Sequence, residues 1–223
     1  MEAVVKIGGS LAVHPNALRI LCTKVGEIAK KHRLLIVPGG GVFADVVREM
    51  EKRFQTSAYV SHKMAVLGME QFGLLLSELI GDAITIASLE KSKDYWKSES
   101  TPVFLPSKMM FREEPLEASW DVTSDSIAAF VACRVNADAV ILAKDVDGIF
   151  DSDPKKNPNA KLIAKLSLSK LSKRAGQTGV DRYLPRLLKE KGLDCYVVNG
   201  LFPERIAQVL DGKETTCTWI SSE

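Results

Sequence analysis

The stretch Val5-Lys6-Ile7-Gly8-Gly9-Ser10 lies near the start of the chain and is the segment from which the fold is best inferred. Residues 3–7 form an apolar run, interrupted only by Lys6, that predicts a buried strand ending in two glycines and a serine. Glycine lets backbone amides approach a ligand closely, and consecutive amides in a tight turn form a cradle for an anion. The lysine adds a positive charge at the edge of this cradle. A tight turn beside a surface lysine is the alternative, and this stretch alone favours neither.

A second glycine-rich turn follows the next predicted strand, at residues 34–37. Pro38-Gly39-Gly40-Gly41 then leads into a predicted helix that ends at about residue 53. Glycines at a helix N-terminus suit a phosphate or a carboxylate. Because the carboxyl ends of neighbouring parallel strands form a crevice that ligands commonly occupy, the two turns together predict an anion site. Neither turn has the spacing of a dinucleotide fingerprint or of a Walker loop.

Two further segments place carboxylates beside predicted turns. Val122-Thr123-Ser124-Asp125-Ser126 opens a helix predicted over residues 124–135, and residues 143–154 form a loop dense in aspartate and glycine. Each segment has a purely structural interpretation, the first as a capped helix start and the second as a solvated loop. Only the proximity of Lys6 would give Asp125 a function, because its carboxylate would then hold the ammonium group in position and charged.

Strands and helices alternate along the whole chain. Further helices are predicted at residues 15–32 and 63–80 and after Pro203, and further strands at residues 83–87, 103–105, 139–143, 195–198 and 215–220, the last at the sheet edge. Continuous apolar strands alternating with helices predict an α/β fold with a mainly parallel sheet covered on both faces. Residues 91–123 are expected to form strands and hairpins extending over the site. With 223 residues and no repeat or linker, one domain spanning residues 1–223 is predicted.

Composition argues against several classes of protein. The net charge of +2 comes from 30 basic and 28 acidic side chains spread along the chain, so we expect no nucleic acid partner and no membrane surface partner. No apolar run is long enough to span a membrane and the first residues do not resemble a signal peptide, which predicts a cytoplasmic protein. The four cysteines and three histidines lack metal-ligand spacing, which predicts reduced thiols and no structural zinc site.

Taken in order, the segments V-K-I-G-G-S, V-P-G-G-G, T-S-D-S and K-D-V-D-G-I-F-D-S-D-P resemble the motifs of the amino acid kinase superfamily. The resemblance covers nearly the whole chain. It implies a three-layer α/β/α sandwich with a mainly parallel central sheet. It also implies an enzyme that transfers the γ-phosphoryl group of ATP to a small acceptor, with Mg²⁺ bridging the ATP phosphates and no protein ligand of the metal assigned.

The resemblance assigns roles to individual residues. Lys6 would stabilise the transferring phosphoryl group, and Asp125 would organise that lysine. The residues implied to hold the nucleotide are Lys6, Gly8, Gly9, Ser10, Lys144, Asp145, Gly148, Phe150 and Asp153. The residues implied to meet the acceptor and the moving phosphoryl group are Gly39, Gly40 and Gly41.

One segment departs from the pattern of relatives that phosphorylate carboxylates, which carry a second catalytic lysine in a G-G-M-x-P-K segment. The comparable residues 179–186 contain no lysine, which leaves Arg186 or Lys144 as the source of a second cation. This loss favours the branch of the superfamily whose acceptor is itself a phosphate. That branch includes UMP kinases, isopentenyl phosphate kinases and methanofuran-pathway kinases, which phosphorylate an aminomethylfuranyl-methyl phosphate to its diphosphate.

Segments around residues 61–65, 105–108 and 119–126 are most similar to the methanofuran-pathway kinases. The similarity implies acceptor contacts from His62, Trp120, Asp121, Thr123 and Ser124. Trp120 and Asp121 would bind a furan ring and its ammonium group. The alternative for Trp120 is a residue of the hydrophobic core, and the alternative for His62 is a helix-capping or interface histidine. UMP kinase or isopentenyl phosphate kinase is the alternative activity, and a non-catalytic nucleotide-sensing domain, which needs neither Lys6 nor Asp125, is the alternative of another class.

The helix predicted at residues 63–80 carries more apolar positions than one buried stripe requires. The excess predicts that the helix also contributes to the interface of a homodimer or a higher homo-oligomer.

Overall fold

The computed structural model describes residues 1–90, 92–95, 100–154, 156–174 and 179–221. The strands among these residues are β1 (Glu2–Ile7), β2 (Arg33–Pro38), β3 (Ala83–Ile86), β4 (Thr101–Phe104), β5 (Ala139–Lys144), β6 (Lys165–Ser167), β7 (Asp194–Asn199) and β8 (Cys217–Ser221). The helices are α1 (Pro15–Ala29), α2 (Gly41–Phe54), α3 (Ala58–Ile80), α4 (Ser92–Tyr95), α5 (Ser107–Glu113), α6 (Ser124–Val135), α7 (Leu168–Lys173), α8 (Leu184–Lys191) and α9 (Glu204–Leu210). A short 3₁₀ helix spans Gly9–Val13.

The strands form one sheet in the order β3-β4-β2-β1-β5-β7-β8-β6. Every neighbouring pair is parallel except β7 and β8, which run antiparallel. The mainly parallel sheet predicted from the sequence is therefore confirmed. A parallel sheet with apolar residues on both faces requires helices on both sides.

Two hydrophobic cores cover the two faces of the sheet. Because successive side chains of a strand point to opposite faces, Val4 of β1 packs in the core that contains α6 and α8, and Val5 packs in the core that contains α1 and α9. Strands β2 and β5 alternate in the same way, with Leu35 and Val140 on the α6 side. The three-layer α/β/α arrangement is confirmed.

Several predicted boundaries are wrong, for identifiable reasons. Helix α1 ends at Ala29 rather than at residue 32, and α3 begins at Ala58 rather than at residue 63, where the Ser57 side chain caps it by accepting from the Val60 amide. The strand expected at the sheet edge, now β8, has β6 outside it, and three residues are too few to give a strand signal. Of the strands and hairpins expected over residues 91–123, the described residues form one strand, β4, which overlaps the strand predicted at residues 103–105, and the two helices α4 and α5. Residues 91 and 96–99 lie outside the described part.

The fold brings the carboxyl ends of β1, β2 and β5 to the same edge of the sheet. Ile7, the last residue of β1, is level with Pro38 on one side and with Ala143 on the other. Hydrogen bonds continue one residue beyond the strands, since the Gly39 amide donates to the Ile7 carbonyl at 2.8 Å and the Gly8 amide donates to the Ala143 carbonyl at 2.8 Å. Both glycine turns and the aspartate-rich loop therefore begin side by side.

Candidate active site

The two glycine turns touch through their backbones. A Cβ atom added at Gly9 would lie 2.0 Å from the Gly41 nitrogen, and one added at Gly39 would lie 2.5 Å from the Gly9 nitrogen. No side chain fits at either position, and Gly41 itself has a φ of +53°, which favours glycine. Glycine is required here because the two turns share one surface, not because either turn needs to be flexible.

A cavity of about 890 Å³ opens beside these turns. Most of the predicted site residues line it: Lys6, Gly8, Gly9, Ser10, Gly40, Gly41, His62, Trp120, Thr123, Ser124, Lys144, Asp145, Gly148, Phe150 and Asp153. The structure therefore brings together residues that are as much as 147 positions apart, from Lys6 to Asp153.

Three predicted residues are not part of the cavity wall. Gly39 packs beneath Gly9, where it permits the close contact between the turns. Asp121 and Asp125 instead border an adjoining shallow depression, together with Lys6 and Trp120. At the rim of that depression, the Asp121 carboxylate lies 3.7 Å from the guanidinium of Arg182.

Asp125 lies between two lysines at the floor of the site. The Lys6 Nζ atom lies 2.9 Å from Asp125 Oδ1, and the Lys144 Nζ atom lies 2.7 Å from Asp125 Oδ2. The residues are buried, with Lys6 5% exposed and Asp125 2% exposed. One carboxylate therefore orients two ammonium groups, both of which also line the cavity.

Burial and charge act in opposite directions on these groups. Burial alone would raise the pKa of Asp125, but Lys144 and Lys6 hold that pKa well below the ordinary carboxyl value. Burial lowers the pKa of Lys6, and the nearby charge of Lys144 adds to this effect, while Asp125 and Asp181 oppose it. Asp125 is therefore ionised at neutral pH and is a poor proton acceptor.

Asp181 supports the turn that carries Asp125, and it was not among the site residues predicted from the sequence. Its carboxylate accepts hydrogen bonds from the backbone amides of Thr123, Ser126 and Leu184 and from the hydroxyl groups of Thr123 and Ser126, at 2.5–2.9 Å. The residue is 8% exposed, and burial together with the charge of Asp125 raises its pKa. It lies in residues 179–186, the segment from which the sequence prediction used only the absence of a lysine.

The first half of the aspartate-rich loop is held by two sets of side-chain contacts. The Ser10 hydroxyl donates to Asp145 Oδ1 at 3.0 Å, which joins the loop to the first glycine turn. Further along, Asp147 Oδ1 accepts from Asn199 Nδ2 at 3.0 Å and from an Arg205 nitrogen at 2.5 Å. Asp147, Asn199 and Arg205 were not predicted as site residues, because the contacts that join them span more than fifty positions.

Helix α2 forms the wall next to Trp120. The Trp120 indole donates to Glu51 Oε2 at 2.5 Å, and the Arg48 guanidinium lies 4.4 Å from the centre of the Trp120 ring. Arg48 also donates to Asp45 Oδ1 at 2.6 Å, and both of these residues line the cavity. Sequence reasoning missed all three α2 side chains, since charged residues on a helix normally indicate only a solvated face.

His62, at the same wall, lies at the start of α3 and is half-buried. Its Nε2 atom has no hydrogen-bond partner among the described residues. Burial lowers the pKa of the imidazole, although a backbone hydrogen bond with Ser119 acts against this. A neutral ring with one unpaired nitrogen is suited to contact a polar ligand.

The described residues contain neither a cluster of metal-ligating side chains nor a helix that could span a membrane. Nowhere in the part of the chain that the structure describes do three histidine, cysteine, aspartate or glutamate side chains converge. Within the same ranges, no helix combines the length and the apolar character needed to cross a bilayer.

The sequence profile of the amino acid kinase family matches residues 1–199. The chain belongs to the amino acid kinase family. This kinase is 37% identical over 218 residues, covering 97% of the chain and 96% of the relative, to the [5-(aminomethyl)furan-3-yl]methyl phosphate kinase of Methanocaldococcus jannaschii. It is 25% identical to the uridylate kinase of Methanococcoides burtonii over 94% of the chain and 91% of that protein.

Solved structures agree on the fold of the kinase. The uridylate kinase of Archaeoglobus fulgidus superposes with a TM-score of 0.77 at 21% identity, over 99% of this chain and 100% of that one. The UMP kinase of Bacillus anthracis gives a TM-score of 0.79 at 20% identity, over 100% and 96% of the two chains. At these identities the likeness concerns the fold alone.

Proposed function

We propose that this kinase transfers the γ-phosphoryl group of ATP to a phosphate monoester to form a diphosphate, and that the monoester is [5-(aminomethyl)furan-3-yl]methyl phosphate. The observation that carries the proposal is the Lys6–Asp125–Lys144 cluster at the floor of a cavity bordered by two touching glycine turns. The 37% identity to the kinase of that name over nearly the full length supports the choice of acceptor.

Lys144 is proposed as the second catalytic cation. Its ammonium group binds the second oxygen of the carboxylate that holds Lys6, so that both positive charges lie at the floor of the same cavity. Arg186, the alternative, pairs with Glu190 at the surface at 2.9 Å and does not line the cavity. Positive charge held in place around the equatorial oxygens is the main requirement of phosphoryl transfer.

The low pKa of the Asp125 carboxyl group favours an acceptor that is already ionised. An alcohol acceptor requires a base to remove its proton, whereas a phosphate monoester, with a second pKa of about 6, is largely a dianion at neutral pH. Because two lysines hold the pKa of Asp125 low, this carboxylate is unsuited to act as that base. An anionic acceptor needs only to be positioned.

The reaction balances without a protein-derived proton. An oxygen of the acceptor phosphate attacks the γ-phosphorus of ATP and forms a P–O bond, while the bond to the oxygen that bridges the β- and γ-phosphorus atoms breaks. ADP leaves with the electron pair of that bond. Lys6 and Lys144 would stabilise the charge on the transferring group, and the backbone amides of the glycine turns would hold the flanking phosphates.

The residues present fit a magnesium ion that arrives with ATP. Asp125 already binds two lysines, and none of the described segments supplies a three-residue cluster of metal-ligating side chains, so phosphate oxygens would provide most of the ligands. When bound, Mg²⁺ screens the negative charge of the β- and γ-phosphates.

Adenosine is proposed to bind along the aspartate-rich loop and the acceptor beside α2 and α3. The nucleotide side comprises Gly8, Gly9, Ser10, Asp145, Gly148, Phe150 and Asp153. The acceptor side comprises Gly40, Gly41, His62, Trp120, Thr123 and Ser124, with Asp121 in the adjoining depression and Gly39 as packing between the turns. We further propose that the enzyme acts in the cytoplasm as a homo-oligomer.

Incubating the purified protein with ATP, Mg²⁺ and a panel of acceptors tests the proposal. We expect ADP release with the aminomethylfuran phosphate to exceed that with UMP, isopentenyl phosphate, glutamate or aspartate. A Lys6→Met protein serves as the control for contaminating kinases. Release with glutamate or aspartate alone contradicts a phosphate acceptor, and ATP binding without turnover of any acceptor favours a nucleotide sensor.

Uridylate kinase is the second candidate activity, because relatives with that name are about 25% identical over nearly the whole chain. A value of kcat/KM for UMP above that for the furan phosphate would establish it instead.

A further inference from the structure

Four cationic side chains line the cavity among the residues that the structure describes: Lys6, Arg48, Lys144 and Lys156. Two of them, Lys6 and Lys144, bind Asp125 at the floor and are assigned to the transferring group. Lys156 follows the aspartate-rich loop on the proposed nucleotide side, where its Nζ atom lies 3.8 Å from Asp153. Arg48 is therefore the lining cation that remains for the acceptor side.

Arg48 is held by two contacts. One guanidinium nitrogen donates to Asp45 at 2.6 Å, and the guanidinium plane lies 4.4 Å from the centre of the Trp120 ring. Glu51, one helical turn after Arg48 on α2, accepts from the Trp120 indole at 2.5 Å and so fixes the ring. A tryptophan face and a carboxylate together orient a guanidinium group while most of its five N–H groups remain available.

These contacts change the interpretation of Trp120. The Arg48 guanidinium occupies one face of the Trp120 ring. An aromatic acceptor that stacked on this face would have to displace the arginine, and the site would then lose its cation on this side. A guanidinium group held over a tryptophan instead matches the planar, bidentate recognition of phosphate.

We propose that Arg48 binds the phosphate group that the acceptor already carries, and that Trp120, together with Glu51 and Asp45, positions Arg48 rather than stacking on the acceptor. The proposal rests on the proposed function, because it requires an acceptor with a phosphate group. Arg48 is then a specificity-determining residue, which distinguishes phosphate monoesters from acceptors that have no anionic group within its reach.

Kinetic constants of Arg48 variants test this role. In Arg48→Met we expect the KM for the phosphate acceptor to rise about 10- to 100-fold while the KM for ATP changes less than about 2-fold, since only hydrogen bonds to the acceptor are lost. Arg48→Lys restores the charge without the two-pronged geometry and should recover part of the loss. Arg53→Met, on the same helix but outside the cavity wall, is the matched control.

Methyl phosphate is a probe with neither a ring nor an ammonium group, and it separates the two roles of Trp120. Measured as a competitive inhibitor against the acceptor at saturating ATP, its Ki should rise about 10-fold in Arg48→Met and several-fold in Trp120→Leu. An unchanged Ki in Trp120→Leu, with a raised KM for the furan acceptor alone, means that Trp120 stacks on the acceptor and overturns the positioning role.

An unchanged acceptor KM in Arg48→Met overturns the role of the arginine even if the wild-type enzyme phosphorylates the monoester. If the wild type phosphorylates no monoester at all, the proposed function fails and this inference falls with it. Thermal melting of each variant shows whether it is folded. The Arg48→Lys and Trp120→Leu proteins provide the same comparison if Arg48→Met is unstable.

Discussion

Asp125 is the residue on which the two proposed catalytic cations depend, because each of its carboxylate oxygens binds one lysine. The arrangement keeps Lys6 and Lys144 beside each other in spite of their repulsion. The catalytic role proposed for Lys144 lies at the end of β5, whereas the sequence resemblance assigned Lys144 to nucleotide binding and left it only as an alternative second cation. The segment at residues 179–186 then needs no cation of its own.

Replacement of Lys144 by methionine should lower kcat about 100- to 1000-fold, since it removes one positive group that stabilises the transition state. The KM for ATP should change little, because the glycine turns still hold the phosphates. Steady-state kinetics with saturating acceptor measures both constants.

Arg186→Met is the matched control, because Arg186 is the other cation that the sequence offered. We expect its kcat to remain within about 2-fold of wild type, since Arg186 pairs with Glu190 at the surface. A large loss in this variant together with normal activity in Lys144→Met would reverse the assignment.

At the scale of elements, Asp181 ties the N-terminus of α8 to the first turn of α6. Four of its five hydrogen bonds come from Thr123 and Ser126, on either side of Asp125, and the fifth comes from the Leu184 amide at the start of α8. The position of the Asp125 carboxylate therefore depends on an element that begins 60 residues later in the chain. Residues 179–186, which lack the second lysine, thus still contribute to the Lys6–Asp125–Lys144 cluster, because Asp181 supports the turn that carries Asp125.

Asp181→Asn should shift the alkaline limb of the kcat profile. The negative charge of Asp181 raises the pKa of Lys6, against the lowering caused by burial. Removing that charge lowers the pKa of Lys6 further, so the ammonium loses its proton, and kcat falls, at a lower pH than in the wild type. Measuring kcat across the neutral to alkaline range detects the shift.

Ser126→Ala removes one hydrogen bond to Asp181 but no charge, and so separates support from electrostatics. We expect this variant to be destabilised by about 1 kcal/mol with an unchanged alkaline limb. Equal shifts in both variants, or none in Asp181→Asn, would show that the charge of Asp181 does not reach Lys6.

Local signals explain which parts of this site could be predicted from sequence. The glycine turns, Asp125 and the aspartate-rich loop each carry their signal within a few neighbouring residues. Asp181, by contrast, meets Thr123 and Ser126 across 58 and 55 positions, and Trp120 meets Glu51 across 69. Such contacts depend on how helices pack, and no periodicity or turn motif encodes them.

The whole molecule presents an exposed apolar stripe along α3. Val60, Leu67 and Leu74 are seven residues apart, lie on one side of the helix, and are 44%, 45% and 54% exposed. The surplus of apolar positions predicted from the sequence is therefore present, and exposed apolar side chains along one side of a helix are typical of an interface between subunits.

A protein with both Leu67→Glu and Leu74→Glu should dissociate, since charges would be buried between copies of the chain. We expect the wild type to be a dimer or larger at micromolar concentration and the double variant to be a monomer, as measured by light scattering. Ile20→Glu, at an exposed apolar position of α1, is the control. A monomeric wild type, or dissociation of the control as well, would argue against α3 as the interface.

The contact between Gly9 and Gly41 has a consequence for how enzymes of this design change their substrates. In the proposed reaction, donor and acceptor would be held by two main-chain turns that touch without any side chain between them. The distance that the phosphoryl group crosses is thus set by the backbone and does not depend on the side chains of α2 and α3. Substitutions on those helices can therefore change the acceptor specificity while the distance of phosphoryl transfer stays the same.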